Sequence, residues 1–93
     1  MASAKGTKKR VEVDGRKYTV DVARASTWTA VKMMARINAE DEDSAKGLLA
    51  IQYADYVLGD EMAKVVEACG GDDAPAESVI KLAFEILAAA SKN

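Results

Sequence analysis

Leu48–Cys69, LLAIQYADYVLGDEMAKVVEAC, is the stretch around which the rest of the chain must be arranged. On a helix turning by about 100° per residue, Leu48, Leu49, Ile51, Tyr53, Tyr56, Val57 and Leu58 point to nearly every side, and only a strip at Gln52 and Asp55 is polar. A segment that apolar belongs at the centre of a domain rather than on its surface. Gly59 suits a left-handed helix end, and Asp60 is placed to cap a second helix, in which Met62, Val65, Val66 and Cys69 recur at i, i+3, i+4 and i+7. This second helix has one apolar stripe and one wet face.

Upstream, Val11 and Val13 alternate with Arg10 and Glu12, and Tyr18, Val20 and Val22 alternate with Lys17, Thr19 and Asp21. Asp14-Gly15 between them is a two-residue turn signal, so residues 10–22 are expected to form a β-hairpin with Glu12 opposite Lys17 and Val11 opposite Tyr18. A lone hairpin is marginal in water, so its Val/Tyr face must lie on helices or join another sheet. Residues 1–9, with Ala, Ser, Gly, Thr and Lys, are expected to be a mobile basic arm.

Ser26 or Thr27 is the expected N-cap of a helix over about 27–38, in which Trp28, Val31, Met34, Ala35 and Ile37 make one broad apolar side. The acidic run Glu40-Asp41-Glu42-Asp43 makes a poor helix interior but a good approach to the central helix at about 45–58, because negative charge is favoured at a helix N-terminus. It lacks the alternating ligands, the central Gly and the closing Glu of a calcium loop. After the helix at about 61–69, Gly70-Gly71-Asp72-Asp73-Ala74 reads as a flexible loop, and Pro75 opens a last helix over about 75–90. That helix has Val79, Ile80, Leu82, Ala83, Phe84, Ile86 and Leu87 on a wide apolar face. The expected fold is α+β but mostly α, a hairpin followed by about four short helices in a single domain, 10–93.

With 93 residues there is room for one domain. Net charge is −2 but unevenly spread: nine Lys/Arg against three Asp/Glu up to Arg36, then four against twelve from Ile37. Such a chain can pair its own halves or stack head to tail with copies of itself, or the charges can simply be solvated faces that keep a small protein soluble. No apolar run is long enough for a membrane span, and the polar start has no apolar middle like that of a signal peptide, so a cytoplasmic location is expected.

The sequence has no histidine and one cysteine, which removes Ser-His and Cys-His nucleophile pairs, imidazole metal ligands and an internal disulfide. Cys69 falls on an apolar stripe, where a buried structural thiol is the natural reading. Gly70-Gly71 lacks the Lys-Ser/Thr of a phosphate loop, and Asp72 and Asp73 sit on a loop poorly suited to positioning a substrate. We expect no enzyme, no cofactor and no metal. Lys5, Lys8, Lys9, Arg10, Arg16 and Lys17 would have to share one surface to neutralise phosphates, and a pI of about 5.1 argues against nucleic acid as a partner. Four apolar helix faces and a hairpin exceed what one small core readily hides, so a self-interface or a helical client is expected; the other reading is that Tyr53, Tyr56 and Val57 are simply central to the monomer core.

The order of elements resembles the tail assembly chaperones of long-tailed phages and prophages. The likeness rests on the small N-terminal strands, the helix opening at Ser26-Thr27-Trp28, the Leu-rich helix running into Tyr56-Val57-Leu58-Gly59-Asp60-Glu61, and the helix Ala76-Glu77-Ser78-Val79-Ile80-Lys81-Leu82 that follows an acidic, Gly-containing loop. It covers roughly Tyr18 to Ala90, with Leu58–Glu61 its most specific piece. The Asp14-Gly15 hairpin and the basic start stand outside it.

The resemblance implies a cytoplasmic, non-catalytic protein that coats the long, aggregation-prone tape measure protein and helps the tail tube protein polymerise around it. It also implies a longer second product made by ribosomal frameshifting, with which Ser91-Lys92-Asn93 is compatible if encoded by adenine-rich codons. On this reading the chain self-associates, and Trp28, Tyr53, Tyr56, Val57, Met62 and Val66 are the expected hydrophobic contacts with a client. Two other readings stand beside it: a different small morphogenesis protein, such as a head-tail completion part whose hairpin adds to a neighbour's sheet, and a DNA-binding regulator using the basic arm.

Overall fold

The computed structural model describes residues 8–92, so the expectations for residues 1–7 and for Asn93 lie outside the described residues. Two antiparallel strands, β1 (Lys8–Val13) and β2 (Arg16–Asp21), are followed by a one-turn helix α1 (Val22–Ala25) and four longer helices. These are α2 (Trp28–Ala39), α3 (Asp43–Leu58), α4 (Met62–Ala68) and α5 (Ala76–Ser91). The domain is α+β and mostly α, as expected.

The hairpin has the expected register, Val11 opposite Tyr18 and Glu12 opposite Lys17. Asp14 and Gly15 both have positive φ, 53° and 82°, which matches the right-handed twist of the flanking strands. Its ends differ from expectation. β1 begins at Lys8, so Lys8 and Lys9 belong to the sheet rather than to an arm, opposite Asp21 and Val20. Alternation puts Lys9 on the inner face with Val11 and Val13, and its ammonium reaches over to donate to the Ala90 carbonyl at 3.0 Å, in the last turn of α5. At the other end Val22 leaves the sheet, because the Asp21 carboxylate accepts from the Ala23 N–H and caps α1.

Thr27 is the N-cap of α2, its hydroxyl accepting from the Ala30 N–H at 3.2 Å. α3 begins at Asp43, slightly before the expected start, so the last residue of the acidic run lies in its first turn, where negative charge is favoured. Gly59 has φ 56° and ψ −125°, the dihedral pair of the first central position of a type II′ turn rather than a left-handed helical residue. Asp60 does not cap α4; residues 59–61 form a turn of 3₁₀ helix, and Glu61 precedes α4 without a side-chain cap. Residues 71–73 form a second 3₁₀ turn within the acidic loop, and Pro75 stands immediately before α5.

α3 packs against α1, α2, α4, α5 and β2, and the inner face of the hairpin lies on α5 and α3. The core contains Tyr18, Val20, Ile37, Tyr53, Val57, Leu58, Val65, Leu82 and Ile86. Tyr53 and Phe84 bring α3 and α5 together with ring centroids 5.8 Å apart. The buried residues of α3 all lie between Ala50 and Leu58; near its start, Leu48 is 64% exposed.

Candidate functional site

The six expected contact residues divide into three environments. Tyr53 and Val57, at 8% and 1% exposure, lie in the core, because α3 is enclosed on the sides where they project. To touch a partner through them, the domain would have to open. Burial also pushes the Tyr53 phenol above its ordinary value.

Tyr56 is half-buried and acts as an internal clasp. Its hydroxyl lies 2.9 Å from Thr27 Oγ1, its backbone carbonyl accepts from Arg24 Nε at 2.9 Å, and the Arg24 guanidinium carbon sits 4.8 Å from the centroid of its ring. The Tyr56 carbonyl belongs to the last turn of α3, where a cation is electrostatically favoured.

Trp28, Met62 and Val66 are on two accessible surfaces. On α2, Ala30 and Ile37 turn inward, so Trp28, Val31 and Ala35 form a stripe facing solvent, with Trp28 74% and Val31 50% exposed. Lys32 and Arg36, both exposed, run along one side of this stripe. The broad apolar side expected for this helix is thus divided between the core and the outside.

The second surface is a groove of about 320 Å³ between α3, α4 and α5, floored by Ile51, Met62, Val66, Val79, Ile80 and Ala83. Asp55 and Asp72 stand at its rim, and among the described residues no Lys or Arg lines it. Leu48, one turn before Ile51 on α3, continues the apolar strip beyond the groove. Sequence periodicity locates Met62 and Val66, but it puts Leu48 on a buried helix, and nothing local indicates that this side chain faces solvent.

A polar cleft of about 410 Å³ lies between the hairpin and the α3–α4 junction, with Lys8, Asp21, Arg24, Asp60 and Glu61 on its walls. Glu61 Oε1 accepts from the Thr19 N–H at 2.9 Å and sits 3.4 Å from Lys64 through its other oxygen, so it blocks part of the free edge of β2. Lys8 and Arg10 share the outer face of the hairpin with Glu12, while Lys9 is on the inner face. The described basic residues therefore do not form one uniform patch. Cys69 is free and half-buried at the end of α4, and among the described residues no group of three His, Cys, Asp or Glu side chains is arranged to hold a metal ion. No helix of the described residues is long and apolar enough to cross a membrane.

Comparison with protein-family models, with curated proteins and with solved structures finds no match.

Proposed function

We propose that this chain is a non-catalytic tail assembly chaperone of a phage or prophage, acting in the host cytoplasm, that self-associates and holds the helices of a tape measure protein during tail assembly, with the tail tube protein as a further partner. The observation that carries the reading is a small domain with a well-filled core that still leaves large apolar side chains, Trp28, Val31 and Leu48, in water. A monomer with no partner gains nothing from such exposure, whereas amphipathic helices can cover the α2 stripe and, separately, the groove at Met62 and Val66, with client helices and further copies of the chain competing for these surfaces. Many copies along one long client make moderate affinity per copy sufficient. Tyr53 and Val57 contribute from the core by holding α3 in place, and Tyr56 by fixing α2 to it.

The direct test is co-expression with the tape measure protein of the same phage or prophage, which should shift that client from the insoluble to the soluble fraction. Unchanged client solubility overturns the reading. The alternative in which the hairpin extends a neighbour's sheet has less support, since its inner face is occupied by α5 and α3 and the β2 edge is partly occupied by Glu61.

A further inference from the structure

The exposed apolar stripe and the apolar groove lie on different helices and carry opposite charge. The stripe of Trp28, Val31 and Ala35 is bordered by Lys32 and Arg36; the groove is bordered by Asp55 and Asp72 and has no cation among its described lining residues. α2 packs on α3, and Ile51 and Asp55 of α3 line the groove that α4 and α5 complete. The stripe of α2 projects away from the core side on which Ala30 and Ile37 lie. The same molecule therefore carries both halves of a complementary contact and cannot bring them together within itself.

We propose that the occupant of the groove is α2 of a second copy of this chain, with Trp28 entering beside Met62 and Val66 and with Lys32 and Arg36 facing Asp55 and Asp72. The contact is heterologous: each molecule offers a stripe on α2 and a different surface, the groove between α3, α4 and α5, so copies add head to tail into a ring or an open filament instead of closing as a two-fold dimer. Of the basic first part of the chain only Lys32 and Arg36 border the stripe, and of the acidic part Asp55 and Asp72 border the groove; these four charges give the contact its polarity. One helix face in one groove is smaller than the roughly 1,200–2,000 Å² of total buried area typical of stable complexes, so the association is weak, concentration-dependent and reduced by salt.

This inference rests on the self-association part of the reading above and names its surfaces. Sedimentation velocity and light scattering on the full chain over rising concentration provide the test, using Trp28→Glu, which spoils the stripe, and Asp55→Lys/Asp72→Lys, which reverses the groove rim. All three positions are exposed, so each variant should keep the wild-type circular dichroism spectrum. Wild type should grow in mass above 9.9 kDa, and each variant alone should stay at or near that mass with association weakened at least tenfold. A 1:1 mixture should form a dimer and stop there, because the intact stripe of the groove variant fits the intact groove of the Trp28 variant. A wild type monomeric throughout, a Trp28→Glu protein that assembles like wild type, or a mixture that stays monomeric each overturns the proposal. If the wild type is monomeric yet still solubilises the tape measure protein, the groove belongs to the client: the client reading survives and this one falls.

Discussion

The hydroxyl of Tyr56 on α3 donates to Oγ1 of Thr27, 2.9 Å away, at the N-cap of α2. The direction follows from counting protons: Thr27 has one, directed to the Arg24 carbonyl at 2.9 Å, and its oxygen also accepts from the Ala30 N–H. A single threonine thus terminates α1, starts α2 and ties both to the central helix. This clasp holds the base of the helix that displays Trp28.

Tyr56→Phe keeps the ring under Arg24 and removes only the donated hydrogen bond, so it should cost about 1 kcal/mol, or roughly 4–8 °C in Tm for a domain of this size. Urea unfolding of Tyr56→Phe, Thr27→Ala and the double variant should show coupling, the double loss being smaller than the sum of the single ones. Strict additivity would mean that the two hydroxyls do not interact. Tyr56→Asp should do more, loosening α2 and lowering client capture together.

The Tyr18 side chain is 2% exposed and its hydroxyl has no hydrogen-bond partner among the described residues. An orphaned buried hydroxyl costs on the order of 1–3 kcal/mol in desolvation, and the phenylalanine ring fits the same space. Tyr18→Phe should therefore leave the denaturation midpoint unchanged or raise it. A loss of more than about 1 kcal/mol would show that the hydroxyl is satisfied after all.

Much of the architecture was legible because local signals and tertiary packing agree. Asp14-Gly15 set the hairpin register, Thr27 began its helix, and the all-round apolarity of α3 put it at the centre. Where the reading failed, a residue open to two ordinary roles took the one that the local pattern did not favour. Lys9 reads as the end of a mobile basic arm, yet strand alternation carries it to the inner face, where a long stem reaches the end of α5. Asp21 reads as the polar half of a strand alternation, but its short carboxylate caps the next turn. At the candidate surface the limit is of another kind. Spacing shows that α2 is apolar over a wide arc, but which edge of that arc faces inward depends on where α3 lies, and that is not a local property.

Two glycines in neighbouring parts of the chain should respond oppositely to alanine. Gly59 has φ 56° and no atom within 4 Å of an added Cβ, so Gly59→Ala meets no neighbour but strains the backbone and should cost roughly 1–3 kcal/mol. Gly47 is inside α3, and its added Cβ would lie 4.0 Å from the Ile80 Cδ1, an ordinary contact. Gly47→Ala should stabilise by roughly 0.5–1 kcal/mol through reduced chain entropy in the unfolded state and better helix propensity. Thermal melts that move in the same direction for both would contradict this account of the two backbone conformations.

Stability at high pH should depend on Tyr53. Burial raises its pKa above the ordinary 10.0, so the folded state holds the phenolic proton more tightly than the unfolded state does. The unfolded chain then releases that proton first, and stability present below pH 10 is lost as the pH rises through the folded value. Tyr53→Phe should flatten this part of the stability profile relative to wild type, with denaturant midpoints measured on both proteins from pH 8 to 11. Parallel profiles would show that the phenol ionises equally well in both states.

Trp28 is the sole tryptophan, so intrinsic fluorescence reports directly on the α2 stripe. At 74% exposure its emission in dilute protein should be that of an indole in water and should be quenched readily by iodide. Because the ring contributes little to the core, Trp28→Ser should change folding stability by less than about 0.5 kcal/mol, in contrast to the core change Val57→Ala. Covering the stripe should shift the emission to the blue and protect it from quencher, whether the cover is a second copy at high protein concentration or tape measure helices at low concentration. Raising the salt should reverse the first effect more than the second if Lys32 and Arg36 steer copies together. A Trp28 signal that is blue and shielded in the dilute monomer would place the indole inside the domain and remove the surface on which both the client and self-association readings depend.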